Sequence, residues 1–521
     1  MKKVLFILMV VLILALSLSC SPQADIRAKE IIKIGDATGD WGFPSPYGMY
    51  PRGPGYIRMS FIFDTLVWKD MDGNIIPMLA ESWSYDKEKI SFTFNLRKDV
   101  LWHDGEKFTA PDVAFTFDYI KEHPWVWVNP DIIKSAEVID NFTVRINLTE
   151  EYAPFLENIA GTLPILPEHI WEDIKEPLSY NREDALIGTG PYILKDYNSQ
   201  EGSYLYEANN DYYLGEVNTD SIAFIKISEQ SMPSMIKSGE IDAGSIPPDV
   251  ASELKEIGFE IKEEPPIWAA KLVLNHNTDG LIGEKSFRHA LAYAINYDQI
   301  VDISQRGFAV KGSAGLMPPA NSVWYNENTP QYEYNPGRAK EILEDMGFSI
   351  GKNNYYYKDG EILKFELAVS GGDFERDARI ITENLESLGI KIDLVSYEAK
   401  TLDSKIENWD FDIAISGHGG LGGDPESLNR VIINEGFNSV RYFENNRLIE
   451  LLNMQVKEMD RDTRIQILHE IQEIYTEELP SITLYYPKWY WAHKKNVNIF
   501  FNEGGIAIGI PIPLNKIAFV N

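Results

Sequence analysis

"MLAESWSYDKEKISFTFNLRKDVLWHDGEKFTAPDVAFTFDYI" (78–120) holds three local signals in one run. Within it SFTFNLR (91–97) alternates apolar and polar residues with period two, which predicts a strand with one buried face. Asp104-Gly105 supplies a tight turn. A helix then opens at Thr109 or Ala110: Pro111 suits the first turn, Asp112 complements the positive end of the helix dipole, and Val113, Phe117 and Ile120 share a face. Strand, turn and capped helix in that order are scaffold, and His103 between them reads as structural rather than as a ligand.

The same alternation continues outward. NFTVRINL (141–148) predicts another strand. SFRHALAYAINYDQIV (286–301) predicts an amphipathic helix with Phe287, Leu291, Ala294, Ile295 and Ile300 inward. NPGRAKEILEDMGF predicts a helix capped by Asn335, begun by Pro336 and stopped at Gly347. DRDTRIQILHEIQEIYTEELP predicts a long helix ended by Pro480, with Ile465, Leu468, Ile471 or Gln472, and Tyr475 on one side. No repeat is evident, so the class is α/β with several strand–helix units. IGTGPY (187–192), LNHNTDG (274–280) and LYYPKWYWAHKK (484–495) are turn-rich or aromatic junctions suited to domain boundaries.

FDIAISGHGGLGGDPESLNR (411–430) meets the G-x-G-x-x-G spacing of a dinucleotide loop through Gly417, Gly419 and Gly422. The residues that follow argue against it. Asp424 and Pro425 read as N-cap and first turn of a helix over about 425–433, and a carboxylate there repels phosphate. No Lys-Ser or Lys-Thr follows, which excludes a P-loop. None of the eight histidines forms H-E-x-x-H or H-x-H spacing, and G-x-S-x-G is absent. Enzyme chemistry has no positive support, although carboxylates are too many for a pair to be singled out.

The chain has 521 residues and a net charge of −31, which disfavours nucleic acid. Lys2 and Lys3 precede an apolar run to about Leu18, then Ser19 and Cys20, the only cysteine. This is a secretory signal (1–20) with too short an apolar core for a spanning helix. Leu16-Ser17-Leu18-Ser19-Cys20 resembles a lipobox, with Ser17 where Leu is usual. Lipidation at Cys20 would tether the mature chain to the outer face of a membrane, with 21–30 as a polar tether. Disulfides are excluded by the cysteine count.

The 78–120 stretch closely resembles the signature of family 5 extracellular solute-binding proteins, the peptide-, nickel- and sugar-capturing subunits of ABC importers. IGTGPYILKDY, FRHALAYAINYDQIV, YNPGRAKEILEDMGF, FDIAISGHGG…DP and LPSITLYYPKW follow in family order, so the resemblance spans nearly the whole mature chain. It implies an α/β, bilobal, periplasmic-binding-protein-like clamp of class II with three domains and a discontinuous first domain. Domain I would be 31–60, 187–275 and 487–521, domain II 61–186 and domain III 276–486, with two crossovers as hinge. It implies capture of a solute, foremost a peptide, by a monomer with no cofactor, for delivery to an ABC permease and ATPase. A nickel or other metal chelate or an oligosaccharide is the alternative solute, and a secreted hydrolase the alternative class; a sensory role is not separable by sequence.

The resemblance also places the 411–430 loop in the ligand cleft, with Gly419 and Gly420 letting backbone approach a ligand. In peptide binders of the family an Asp three residues before the acidic residue of the D/E-P pair accepts the peptide amine. Here that position is Leu421, and Asp424 is left as substitute or as helix cap. His418 is a loop histidine able to ligate a chelated metal or bond a sugar. Trp268, Asn275, Trp489 and Trp491 lie beside the presumed crossovers, Arg52 is a candidate partner for a ligand carboxylate, and the aromatic loops 41–53 and 123–128 are candidates for the mouth.

Overall fold

The computed structural model describes residues 31–276, 280–434 and 439–521. The expected signal, tether and Cys20 lie outside the described residues. Two large sheets organise the rest. The first has seven strands in the spatial order Glu260–Glu263, Tyr490–His493, Ala243–Ile246, Ile31–Asp36, Ser221–Lys226, Ser203–Ala208, Tyr192–Asn198. Its central strand, Ile31–Asp36, runs parallel to both neighbours, and the outer pairs are antiparallel.

The 78–120 stretch forms the elements its pattern predicts. Ala80–Asp86, Ser91–Leu96, Thr143–Leu148 and Ile133–Asp140 make a four-stranded antiparallel sheet. Ser91–Leu96 buries Phe92, Phe94 and Leu96, the alternate positions. The helix is Ala110–Glu122, and the Asp112 carboxylate accepts the Thr109 N–H at 2.8 Å to close its first turn. His103 bonds on both ring nitrogens: Nδ1 accepts the Gly188 N–H at 3.3 Å and Nε2 lies 3.0 Å from the Gly190 carbonyl. It pins the 187–192 junction, where Gly190 packs against the backbone of Ile62.

This smaller sheet shares one hydrophobic core with the seven-stranded sheet, joining Phe94, Phe117 and Trp68 to Tyr206 and Phe224. A fully buried ion pair crosses it, from Lys516 near the C-terminus to Asp64. Lys516 also donates to the Phe63 carbonyl at 2.9 Å and lies 4.3 Å from the Trp68 ring centroid. The loops 41–53 and 123–128 belong largely to this body. The Trp125 indole donates to the Pro46 carbonyl, and Trp125 and Trp127 pack on Tyr56.

The second sheet has six strands in the order Ala309–Lys311, Ser481–Pro487, Ala269–Leu274, Ile413–His418, Lys364–Ser370, Lys391–Tyr397. One face packs under Lys285–Ala294 and Asp373–Leu388. The other carries two separate clusters, one with Leu402 and Ile406, the other with Leu428, Leu451, Leu468 and Tyr475. The helix expected over 286–301 breaks after Ala294, because the Asn296 side chain caps a new turn by accepting the Gln299 N–H at 3.0 Å. The helix Arg461–Glu478 buries Arg464 in place of Ile465, which is half-exposed.

One expected boundary is corrected. Domain I was to end at 275, but Ala269–Leu274 pairs on both sides within the second sheet. The crossover therefore lies at 264–268, and the return crossover at Lys488-Trp489. The two run side by side, the Glu264 N–H donating to the Trp489 carbonyl at 2.8 Å.

Removing one partner of a buried ion pair strands a charge, so Asp64→Ala should lower unfolding stability by about 3–5 kcal/mol in urea titrations. Replacing both residues, as in D64N with K516M, should recover most of it.

Candidate ligand cleft

The strand directions bring several strand ends together at one edge of the second sheet. Lys364–Ser370, Ile413–His418 and Ser481–Pro487 all end, and Ala269–Leu274 begins, at the edge facing the crossovers. Crevices outside the carboxyl ends of such strands are where open α/β sheets hold ligands. Successive side chains there point to opposite faces, which gives the edge two different surfaces.

On one face lies a cavity of ≈310 Å³ walled by Trp268, Trp489, Phe374 and Pro487. The Trp268 ring is near-parallel to Phe374 (21°, centroids 6.2 Å apart) and tilted 48° from Trp489 at 5.8 Å. The polar residues of the lining are Gln305, Ser370 and Tyr485. Tyr485 donates to the buried Asp377 at 2.8 Å and accepts from Gln305 at 3.0 Å. Trp489 is 39% exposed, so its face is available. Aromatic walls with a few fixed polar groups are the common form of small-molecule sites.

The glycines of 417–423 serve packing more than phosphate. A methyl at Gly417 would meet the Trp268 ring at 2.1 Å, and one at Gly422 would meet Ile267 at 2.2 Å. Gly420 adopts φ +85°, which side-chain-bearing residues rarely take. The helix after the loop is only Ser427–Ile432, shorter than the expected 425–433. Asp424 does not cap it. Its carboxylate is buried and held bidentately by Arg464, both contacts 2.7 Å, while one oxygen accepts the Glu426 N–H.

Leu421 is fully buried in the core beside Leu428 and Tyr475. The position that the resemblance assigns to an amine-accepting carboxylate is therefore apolar, and Asp424 is already paired with Arg464. Neither is disposed to bind an amine.

His418 ends its strand on the opposite face to Trp268, paired with Ala269. It is 7% exposed, not an exposed loop residue, and neither ring nitrogen has a hydrogen-bond partner. Burial, together with the charges of Lys271 and Arg430, holds its imidazole well below the usual histidine range. Lys271 is fully buried on the neighbouring strand, and burial brings its ammonium down to about 7.

Of the other candidates, Arg52 is exposed, and its charge reaches Asp403 in the second body, placing it on the rim. Trp491 stays in the first sheet opposite Ser245 and Lys262, against the main core. Asn275 is corrected as a cleft residue. It lies at the far end of Ala269–Leu274, roughly 20 Å from Trp268 at strand rise, and its amide donates to the Trp409 and Phe411 carbonyls. Sequence reasoning passed over Gln305, Ser370, Phe374, Tyr485 and Lys271. Only Lys271 announced itself, as a lone charge in the apolar run IWAAKLVL.

The two bodies touch directly across the loop. The Glu157 carboxylate pairs with Lys69 and accepts the Asp424 N–H at 2.9 Å. The Asn158 amide donates to Glu426 at 2.9 Å, and the Ala153 N–H to the Val456 carbonyl at 2.7 Å. Burial pushes the Glu157 carboxyl up, against the pull of Lys69. The arrangement is a clamp with its lobes in contact over an aromatic cavity at the hinge.

The family model described as "Bacterial extracellular solute-binding proteins, family 5 Middle" matches residues 74–435. The chain belongs to that family. Family 5 members are binding proteins, so the chain is a solute receptor and not a hydrolase. It is similar to Heme-binding protein A of Haemophilus influenzae (24% identical over 453 residues, 81% of each chain). It is also similar to the Oligopeptide-binding protein AppA of Bacillus subtilis (25% over 462 residues, 84% of this chain and 83% of that one). Among solved structures, NikZ of Campylobacter jejuni in complex with Ni(L-His) superposes with a TM-score of 0.75 at 26% identity, covering 90% of this chain and 94% of that one. The α/β periplasmic-binding-protein architecture is thus shared with this receptor.

Two outcomes follow from the geometry. Gly417→Ala should displace the Trp268 ring, seen as a shifted tryptophan emission with the fold retained by circular dichroism. Between about pH 7 and the ordinary lysine value the unfolded chain holds a proton on Lys271 that the folded chain lacks, so stability should rise with pH in that window. Lys271→Met should flatten the rise, as measured by urea titration at pH 7.5 and 9.5.

Proposed function

We propose that the chain is the substrate-binding subunit of an ABC importer, tethered by lipid at Cys20 to the outer face of the cell membrane. It works as a monomer that closes on a solute and delivers it to the permease and ATPase. The observation that carries this is the aromatic-walled cavity beside the paired crossovers that join the two bodies. A ligand shifts such a clamp toward closure by its differential contacts with the two forms.

In this reading the first lobe comprises domain I (31–60, 187 to the crossover at 264–268, and 490–521) with domain II (61–186) packed on it. Domain III, from 269 to 487, faces them. Trp268, Trp489, Phe374, Gln305 and Tyr485 form the solute pocket, His418, Gly419 and Gly420 its second wall, and Arg52 its rim.

Peptide is the first solute class, supported by the oligopeptide binder among the relatives. The loss of the amine anchor at Leu421 and Asp424 favours a second reading, a metal chelate or oligosaccharide, with the His418 lone pair or the tryptophan faces as contacts.

The test is the native mass of the chain from Ser21 onward, before and after denaturation. A ladder of peptide masses that survives native transfer and disappears on denaturation is the expected result. A metal-bearing or hexose-spaced adduct would select the second reading, and turnover of a bound peptide would overturn the receptor role.

A further inference from the structure

Among the buried histidines of the described residues, His418 is the one with no hydrogen-bond partner on either ring nitrogen. His103 has both nitrogens bonded, His493 keeps one bonded to the Lys494 carbonyl, and His276 one to the Val440 backbone. His418 has neither, though it is 7% exposed and stands at the cleft edge of its strand. A buried imidazole without partners in a native fold calls for a group that the fold does not supply.

The surroundings say what charge that group carries. Lys271 shares the face, two residues along the strand from Ala269, which pairs with His418. Arg430 lies on the other side of the turn: a methyl at Gly420 would stand 3.2 Å from its guanidinium nitrogen. Arg430 is exposed and makes no ion pair among the described residues, and its charge and that of Lys271 both act on His418. The acids of the loop are engaged elsewhere, Asp424 by Arg464 and Glu426 by the Asn158 amide, although Glu426 also senses Arg430. Donors and positive charge therefore converge on this turn, where Gly420 packs beside the Arg430 guanidinium.

We propose that the His418–Gly420 turn, flanked by Arg430 and Lys271, receives an anionic oxygen group of the solute, a carboxylate or a phosphate. His418 donates one hydrogen bond to it and Arg430 supplies the opposite charge. The proposal rests on the solute-receptor reading and deepens it. A peptide would be held here by its carboxylate rather than its amine, and a metal would enter only inside a chelate of net negative charge.

Matched probes separate charge from shape. Ligand-free protein from Ser21 onward is titrated with N-acetyl-trialanine and trialanine amide, and with glucose, glucuronate and glucose 6-phosphate, following the unfolding midpoint and tryptophan emission. The N-acetylated peptide should raise the midpoint and its amide should not. Glucuronate or glucose 6-phosphate should outperform glucose, and the better of the two identifies the anion as carboxylate or phosphate. Arg430→Gln, at an exposed position, should weaken anionic probes about tenfold, the loss of one charge-assisted contact, and leave uncharged probes alone. His418→Phe should act likewise while keeping the bulk.

Equal stabilisation by charged and uncharged partners, the same loss for both in Arg430→Gln, or no response to any anionic probe would overturn the proposal. Binding of uncharged or amine-bearing probes alone would leave the receptor reading standing. No response to any probe, together with no co-purified solute, would remove both.

Discussion

Everything this receptor does depends on two bodies being joined by only two short crossovers, 264–268 and Lys488-Trp489, bonded to each other through the Glu264 N–H and the Trp489 carbonyl. Two adjacent strands leaving one sheet and entering another leave one soft direction of motion, a bend at the crossovers. Ala269–Leu274 is fully buried and paired on both sides, so the second body accepts the hinge as a rigid insertion. Glu264, at the bend itself, is buried, and burial holds its carboxyl well above the usual range. The hinge is also the cavity wall, since Trp268, Pro487 and Trp489 belong to both.

The glycine loop fits that arrangement. Its glycines are needed because three partners approach within a bond length or two of where side chains would stand: the Trp268 ring, Ile267, and the backbone of Gly509 in the opposite body. Lobe-to-lobe contact runs through backbone donors and buried carboxylates, chiefly Glu157. The two faces of this sheet edge differ in polarity: one is aromatic, and the other carries Lys271 and His418, with Arg430 beside Gly420.

Much of the fold was legible because local rules agreed with global ones. The alternation in Ser91–Leu96, the Asn335 cap, whose side chain accepts the Arg338 N–H at 3.0 Å, and the Pro480 stop all form as their chemistry requires. Where reading failed, a tertiary partner overruled a local preference. Asn296 broke a continuous amphipathic pattern, with the Asn384 side-chain Oδ1 accepting its backbone N–H at 2.8 Å. Asp424 had the position of a helix cap, but Arg464, forty residues later, took both its oxygens. Asn275 looked suited to a cleft because it lies beside a presumed crossover, yet strand direction carried it to the opposite end of the sheet.

The sequence by itself determined the family, the α/β class and the exclusion of a nucleotide loop, since each follows from residue identity at fixed spacing. It also marked Trp268, Trp489 and His418 as candidates. Tertiary structure alone decided that the two tryptophans face one cavity, that the histidine lies on the other face among Lys271 and Arg430, and that the first crossover precedes Ala269. These depend on strand pairing and direction. Ala269–Leu274 pairs with residues more than a hundred positions away, and no local pattern in one chain encodes which of two buried strands will be its neighbour.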